Sequence, residues 1–113
     1  MKEISFLLLL AACSTYKSSG DPIQDTLAKR QRQLTQCYLE SDSYKGKEPH
    51  QPGMITVGFT IDPDGNVRAE RILGTDFKDA NLHACVLGVI DTTTFERPKD
   101  RQAIHVTQPI RFL

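Results

Sequence analysis

Between residues 53 and 73 the chain has little choice of conformation. Ile55, Val57, Phe59 and Ile61 alternate with Thr56, Gly58 and Thr60. A period of two puts the four apolar side chains on one face of a strand and the small or polar residues on the other. Asp62-Pro63-Asp64-Gly65-Asn66 follows. Pro63 presets the backbone angle of the first corner, and Gly65 can adopt the left-handed conformation that closes the turn. Residues 67–73 then return as a second strand. A hairpin of this kind commits the chain to an antiparallel pair whose apolar face other elements must cover. The Asp62-x-Asp64 spacing is also that of a calcium loop, but the glycine stands at the wrong position for one, and a hairpin accounts for each residue.

The flanking segments supply the cover. Behind Asp21 or Asp25 as a helix cap, Ile23, Leu27, Leu34 and Tyr38 recur in steps of four, seven and four. They form one helical face with Cys37 beside its last member, while residues 29–33 are polar and face water. Residues 41–52, broken by Gly46, Pro49 and Pro52, read as a loop. A second helix follows residues 74–79, with Leu82, Cys85, Val86, Val89 and Ile90 on one face, and ends in residues 92–94 before Pro98. Finally Ile104, Val106, Gln108, Ile110 and Phe112 alternate with His105, Thr107 and Arg111, which makes a third strand. Pro109 cannot donate to a ladder on both sides and marks that strand as a sheet edge. The predicted fold is α+β, in the order α-β-β-α-β. Its three-stranded antiparallel sheet has order 2-1-3, with the most apolar strand central and both helices on one face.

The N-terminus has a different character. Lys2 opens a short charged start, residues 4–12 are almost unbroken apolar, and the run stops at Cys13. Spanning a bilayer needs about 20 apolar residues, so the run reads as a secretory signal. Its Leu10-Ala11-Ala12-Cys13 ending resembles the bacterial lipoprotein box. That resemblance implies cleavage before Cys13 and acylation of the Cys13 sulfur. An ordinary cleaved signal and the edge of a core helix are the competing readings. Against the latter, residues 14–22 are polar and loop-like. The expected organisation is a signal peptide at 1–12, a lipidated tether at 13–22 and one domain at 23–113. Ser14 after the cysteine points to the outer membrane.

Composition narrows the function. Fourteen basic and fourteen acidic residues give a formal net charge of zero, so no basic surplus points to nucleic acid. Apart from Cys13, Cys37 and Cys85 remain. In an exported protein an even pair reads as a disulfide, with two buried free thiols as the alternative. No cysteine or histidine stands at metal-ligand spacing with either. His50 lies in the Pro-rich loop, His83 on the polar side of the second helix and His105 on the outward face of the last strand, three surface positions. No serine sits in a nucleophile elbow and no Cys-His pair is evident, so no enzyme and no cofactor is expected.

Two blocks of residues now form a pattern. One is Cys37-Tyr38 followed by Gly53-x-Ile55-x-Val57-x-Phe59-x-Ile61-x-Pro63-Asp64-Gly65-x-Val67. The other is Leu82-x-x-Cys85-Val86, then Phe95-x-x-Pro98 and a closing Pro109-Ile110-x-Phe112. Together they resemble the C-terminal domain of TonB-like energy transducers, in particular the cysteine-containing AgmX/PglI C-terminal family of gliding-motility proteins. The resemblance spans roughly residues 34–113. It implies a disulfide between Cys37 and Cys85 joining the two helices, and no catalytic residue. It also implies a binding module that takes an extended partner along an exposed edge. The expected edge is Ile104, His105, Val106, Thr107, Gln108 and Arg111, with His105, Thr107 and Arg111 facing a partner and a second proline at Val106 as the probe of free backbone.

The resemblance has a limit. Energy transducers are anchored by an inner-membrane helix and carry a long Pro-rich linker. The tether read here, residues 13–22, reaches at most about 30 Å, which holds the domain close to its membrane. The expected protein is a lipid-anchored, periplasm-facing binding or assembly module of the bacterial envelope. Its partners are envelope proteins together with the membrane, reached through the lipid, with no nucleic acid and no small-molecule substrate. A self-associating structural subunit of an envelope or motility machine is the alternative.

Overall fold

A computed structural model of the chain describes residues 21–45 and 52–112. Among the described residues seven elements follow one another: α1 (Pro22–Lys29), α2 (Gln31–Leu39), α3 (Asp42–Lys45), β1 (Gly53–Ile61), β2 (Val67–Thr75), α4 (Ala80–Asp91) and β3 (Ile104–Phe112). The strands form one antiparallel sheet in the order β2-β1-β3. The expected α+β architecture, strand order and topology are therefore the observed ones. No helix among the described residues is long and apolar enough to cross a membrane.

β1 is central because it can be buried against both neighbours. Ile55, Val57, Phe59 and Ile61 are all essentially inaccessible, as the period of two requires. At the turn, Gly65 N donates to Asp62 O at 2.9 Å, and Asp62 N donates to Asn66 O at 2.8 Å. The Asp62 carboxylate accepts from the backbone N–H groups of Asp64 and Asn66, both at 2.9 Å, so it serves the turn. The Asn66 bond is the main cause that holds its pKa below the usual carboxylate range, with Arg68 at 3.1 Å adding to it. β2 pairs with β1 less regularly than β3 does, with register shifts between Thr56 and Val57 and between Gly58 and Thr60, and Ala69 has φ +57°.

The helices differ from expectation in three respects. The first helix is two helices. Arg30, at φ −100° and ψ 8°, ends α1 and begins α2. Its guanidinium donates to Thr93 Oγ1 at 3.0 Å and Thr92 Oγ1 at 3.1 Å, which ties the corner to the end of α4. The seven-residue step from Leu27 to Leu34 straddles this break, and both side chains are fully buried. Second, the expected loop begins with a single helical turn, α3. Ser43 there donates from N and Oγ to the carboxylate of Asp79, the N-cap of α4, at 3.0 and 2.9 Å. Third, Cys85 is exposed although Cys37 is buried, so Cys85 stands off the buried face formed by Leu82, Val86 and Ile90.

The two cysteines are joined, with a Cα–Cα distance of 5.7 Å. The bond links α2 to α4 across a sequence separation of 48. Beside it Tyr38 stacks on Phe112 of β3 at a ring separation of 5.1 Å and meets Phe77 at 5.8 Å and Tyr44 at 5.1 Å. This aromatic group fixes one end of the sheet under α2. At the other end Phe59 stacks on Phe95 at 5.6 Å, below the Gly65 turn.

Candidate interaction edge

β3 occupies one edge of the sheet, and its two kinds of residue are placed differently. Ile110 and Phe112 are fully buried and Ile104 and Val106 half-buried against the core, whereas His105, Thr107 and Arg111 are exposed. The alternation expected from the sequence thus holds for these side chains. Gln108 differs. It is 1% exposed and faces the helices, so its side chain is withdrawn from any partner at the edge.

The backbone alternates as well, and the register decides which groups are free. Met54 N donates to the Asp76 carboxylate at 2.9 Å, and Met54 O accepts from Asp76 N at 3.0 Å, so both polar groups of Met54 point toward β2. Met54 stands opposite Arg111. In an antiparallel pair, residues opposite each other are both hydrogen-bonded across the ladder or both turned away from it. The backbone groups of Arg111 therefore face out. Because the β1–β3 register is unbroken over nine pairs, so do those of His105, Thr107 and Pro109. Pro109 stands opposite Thr56, where its missing N–H costs the ladder nothing.

This parity corrects one expectation. Val106 stands opposite Phe59 in the bonded set, so its backbone belongs to the ladder with β1. A proline at Val106 would break the sheet, and the free backbone lies at His105, Thr107 and Arg111.

The opposite edge is a poorer template. β2 has two bulges, which twist an edge and interrupt its row of donors and acceptors. On the open face of the sheet Leu73, 48% exposed, lies over Gly58, where an added Cβ would stand 2.9 Å from Leu73 Cδ1.

Beneath the β3 edge lies an interaction not anticipated from the sequence. Gln24 of α1, 4% exposed, donates from Nε2 to Gln108 Oε1 at 2.6 Å. Gln108 Nε2 in turn donates to Pro109 O at 2.9 Å. The available signal was a glutamine in the apolar row of β3, since a buried amide needs partners.

The remaining candidates stay apart. His83 meets Thr75 Oγ1 at 2.9 Å, and His105 meets Thr60 Oγ1 at 3.0 Å. Among the described residues no group of three or more histidine, cysteine or acidic side chains is placed to hold a metal. An open cleft beside the start of α4 is lined by Asp42, Ser43, Asp76 and Asp79. Burial raises the Asp79 pKa, but bonds from Leu82 N and from Ser43 outweigh it and hold the carboxyl below its usual value, as suits a structural cap. Cys13, residues 14–20 of its tether and His50 lie outside the described residues, while Asp21 and Pro22, expected at the end of the tether, are the N-cap and first residue of α1.

Among solved structures, the C-terminal domain of TonB from Helicobacter pylori matches this chain with a TM-score of 0.55 at 25% identity, covering 78% of this chain and 92% of that one. A second solution structure of that domain gives a TM-score of 0.48 at 20% identity, covering 87% and 95%. No family model matches the chain. No curated protein matches it. The chain carries a domain with the fold of a TonB C-terminal domain.

Proposed function

We propose that the protein is a lipid-anchored, periplasm-facing interaction module of the bacterial envelope, which captures an extended segment of a partner protein on the edge of β3. The observation that carries this reading is a nine-residue, bulge-free edge strand whose outward residues expose both side chains and backbone groups. Strand addition takes its affinity from such backbone groups and its selectivity from alternate side chains. The likeness to the TonB C-terminal domain supports a protein-binding role. The Leu10-Ala11-Ala12-Cys13 ending supports the lipid and Ser14 the outer membrane, with residues 23–113 proposed as the module beyond a short tether.

The test is a proline at an outward position. Thr107→Pro removes one free N–H and leaves the β1–β3 ladder intact, so the variant is expected to melt like the parent and to lose the envelope partners crosslinked to the parent. If the folded variant retains them all, the edge is not the binding site.

A further inference from the structure

The free edge is not uniform along its length. Going outward from Ile104, the backbone offers N–H and C=O at His105 and again at Thr107. At Pro109 there is no N–H, and the C=O already accepts from Gln108. Gln108 cannot swing away cheaply. It is buried, and its Oε1 accepts from Gln24 on α1. A partner N–H at Pro109 O would therefore have to share that acceptor with Gln108 Nε2, since displacing Gln108 would strand a buried amide, and an unsatisfied buried polar group costs about 1–3 kcal/mol. The next free pair, at Arg111, lies beyond this gap.

Resting on the edge reading above, we infer that Gln108, held by Gln24, divides the β3 edge, and that the partner pairs with His105 and Thr107 alone. Two adjacent outward residues offer two donors and two acceptors, which an extended segment of about five residues satisfies. The side chains flanking them define its chemistry. Ile104 and Val106 form a half-buried apolar lip toward the helices, and His105 and Thr107 lie on the open face. The fitting occupant is a short extended segment of another protein, apolar at alternate positions and small or polar between them. A second copy of this strand fits less well. Pairing His105 of one copy with Thr107 of the other runs residues 109–112 of each past the start of its mate's β3, so they find no strand partner.

The test uses a displayed library of nine-residue random peptides selected on the full chain, followed by amide hydrogen exchange with the best peptide bound. Protection of the His105 and Thr107 amides by about tenfold or more is expected, the equivalent of roughly one backbone hydrogen bond, with the Arg111 amide unchanged. Truncation is expected to keep binding down to about five residues. Equal protection at Arg111 overturns the division and leaves the edge reading standing. Protection at none of the three, or no peptide selected, overturns the edge reading itself. Concentration-dependent protection of His105 and Thr107 without peptide identifies the occupant as a second copy and overturns the partner chemistry. As a second variant, Gln24→Leu combined with Gln108→Leu removes both amides together. In that background Arg111→Pro is expected to weaken nine-residue peptides severalfold, whereas in the parent it changes affinity by less than about twofold. The same loss in both backgrounds overturns the role of Gln108.

Discussion

Gly65 has φ +91°, and a Cβ there would overlap the backbone carbonyl of Phe95, whose N–H donates to Gly65 O at 2.8 Å. Both the conformation and the space demand glycine. Gly65→Ala is expected to lose more than about 1 kcal/mol in denaturant unfolding. A Pro-Asp-Gly turn showed this position in the sequence, while its contact with Phe95, thirty residues on, did not. Asp79 is the second residue with a clear sign. Its pKa is lowered in the folded state, so its contribution is present above the unfolded carboxyl value and is lost as pH falls through the folded one. Asp79→Ala is expected to cost about 1 kcal/mol at neutral pH. The difference from the parent is expected to shrink as pH falls below about 4, where the unfolded chain protonates this carboxyl first. A constant difference down to pH 2 would overturn this assignment. Gln108 was illegible for a physical reason. Its place in the alternation was correct, but an amide in an apolar row reveals its partner only when α1 is packed over it.

Among the elements, the strands were legible because each satisfies a period of two, and the register then fixed which proline would be harmless. Val106→Pro is expected to unfold the domain, since it removes a donor from the β1–β3 ladder, whereas Thr107→Pro is expected to stay folded by circular dichroism. Equal behaviour of the two would mean the parity derived from Met54 is wrong. The break at Arg30 was not legible, because the apolar spacing continues through it and the cause lies at Thr92 and Thr93 in α4. The disulfide ties α2 to α4. Closing a loop of 48 residues stabilises by about 4 kcal/mol in the chain-entropy model. Reduction is expected to lower the melting temperature by well over ten degrees, read by thermal melts with and without a phosphine reductant. Cys85 is exposed, so reduction is expected without prior unfolding.

At the scale of the whole molecule, the proposed attachment at Cys13 and the edge at β3 set a geometry. A ten-residue tether confines the domain within about 30 Å of its membrane, so a partner segment must reach down to it. Mass spectrometry of the membrane-extracted protein is expected to show loss of residues 1–12 and gain of lipid at Cys13. Cys13→Ser is expected to abolish the lipid mass, and an unmodified Cys13 in the native protein would sink the anchor. The fold follows from local patterns because hairpin, caps and alternation agree. The partner does not, since an edge strand offers backbone groups that every chain shares.

The chain contains no tryptophan, and this makes Tyr38 an optical instrument. Its ring is 3% exposed, stacked on Phe112 and next in sequence to a disulfide cysteine. Burial, and then Tyr44, hold its phenol above the ordinary tyrosine range, so the folded protein keeps it neutral where the unfolded chain would ionise it. Phenolate absorbance in alkaline solution, to which Tyr16 and Tyr44 also contribute, therefore gains the Tyr38 share on unfolding. Near-ultraviolet ellipticity, to which Tyr38, its neighbour Tyr44 and the disulfide contribute, reports whether α2 still lies against β3, without any label.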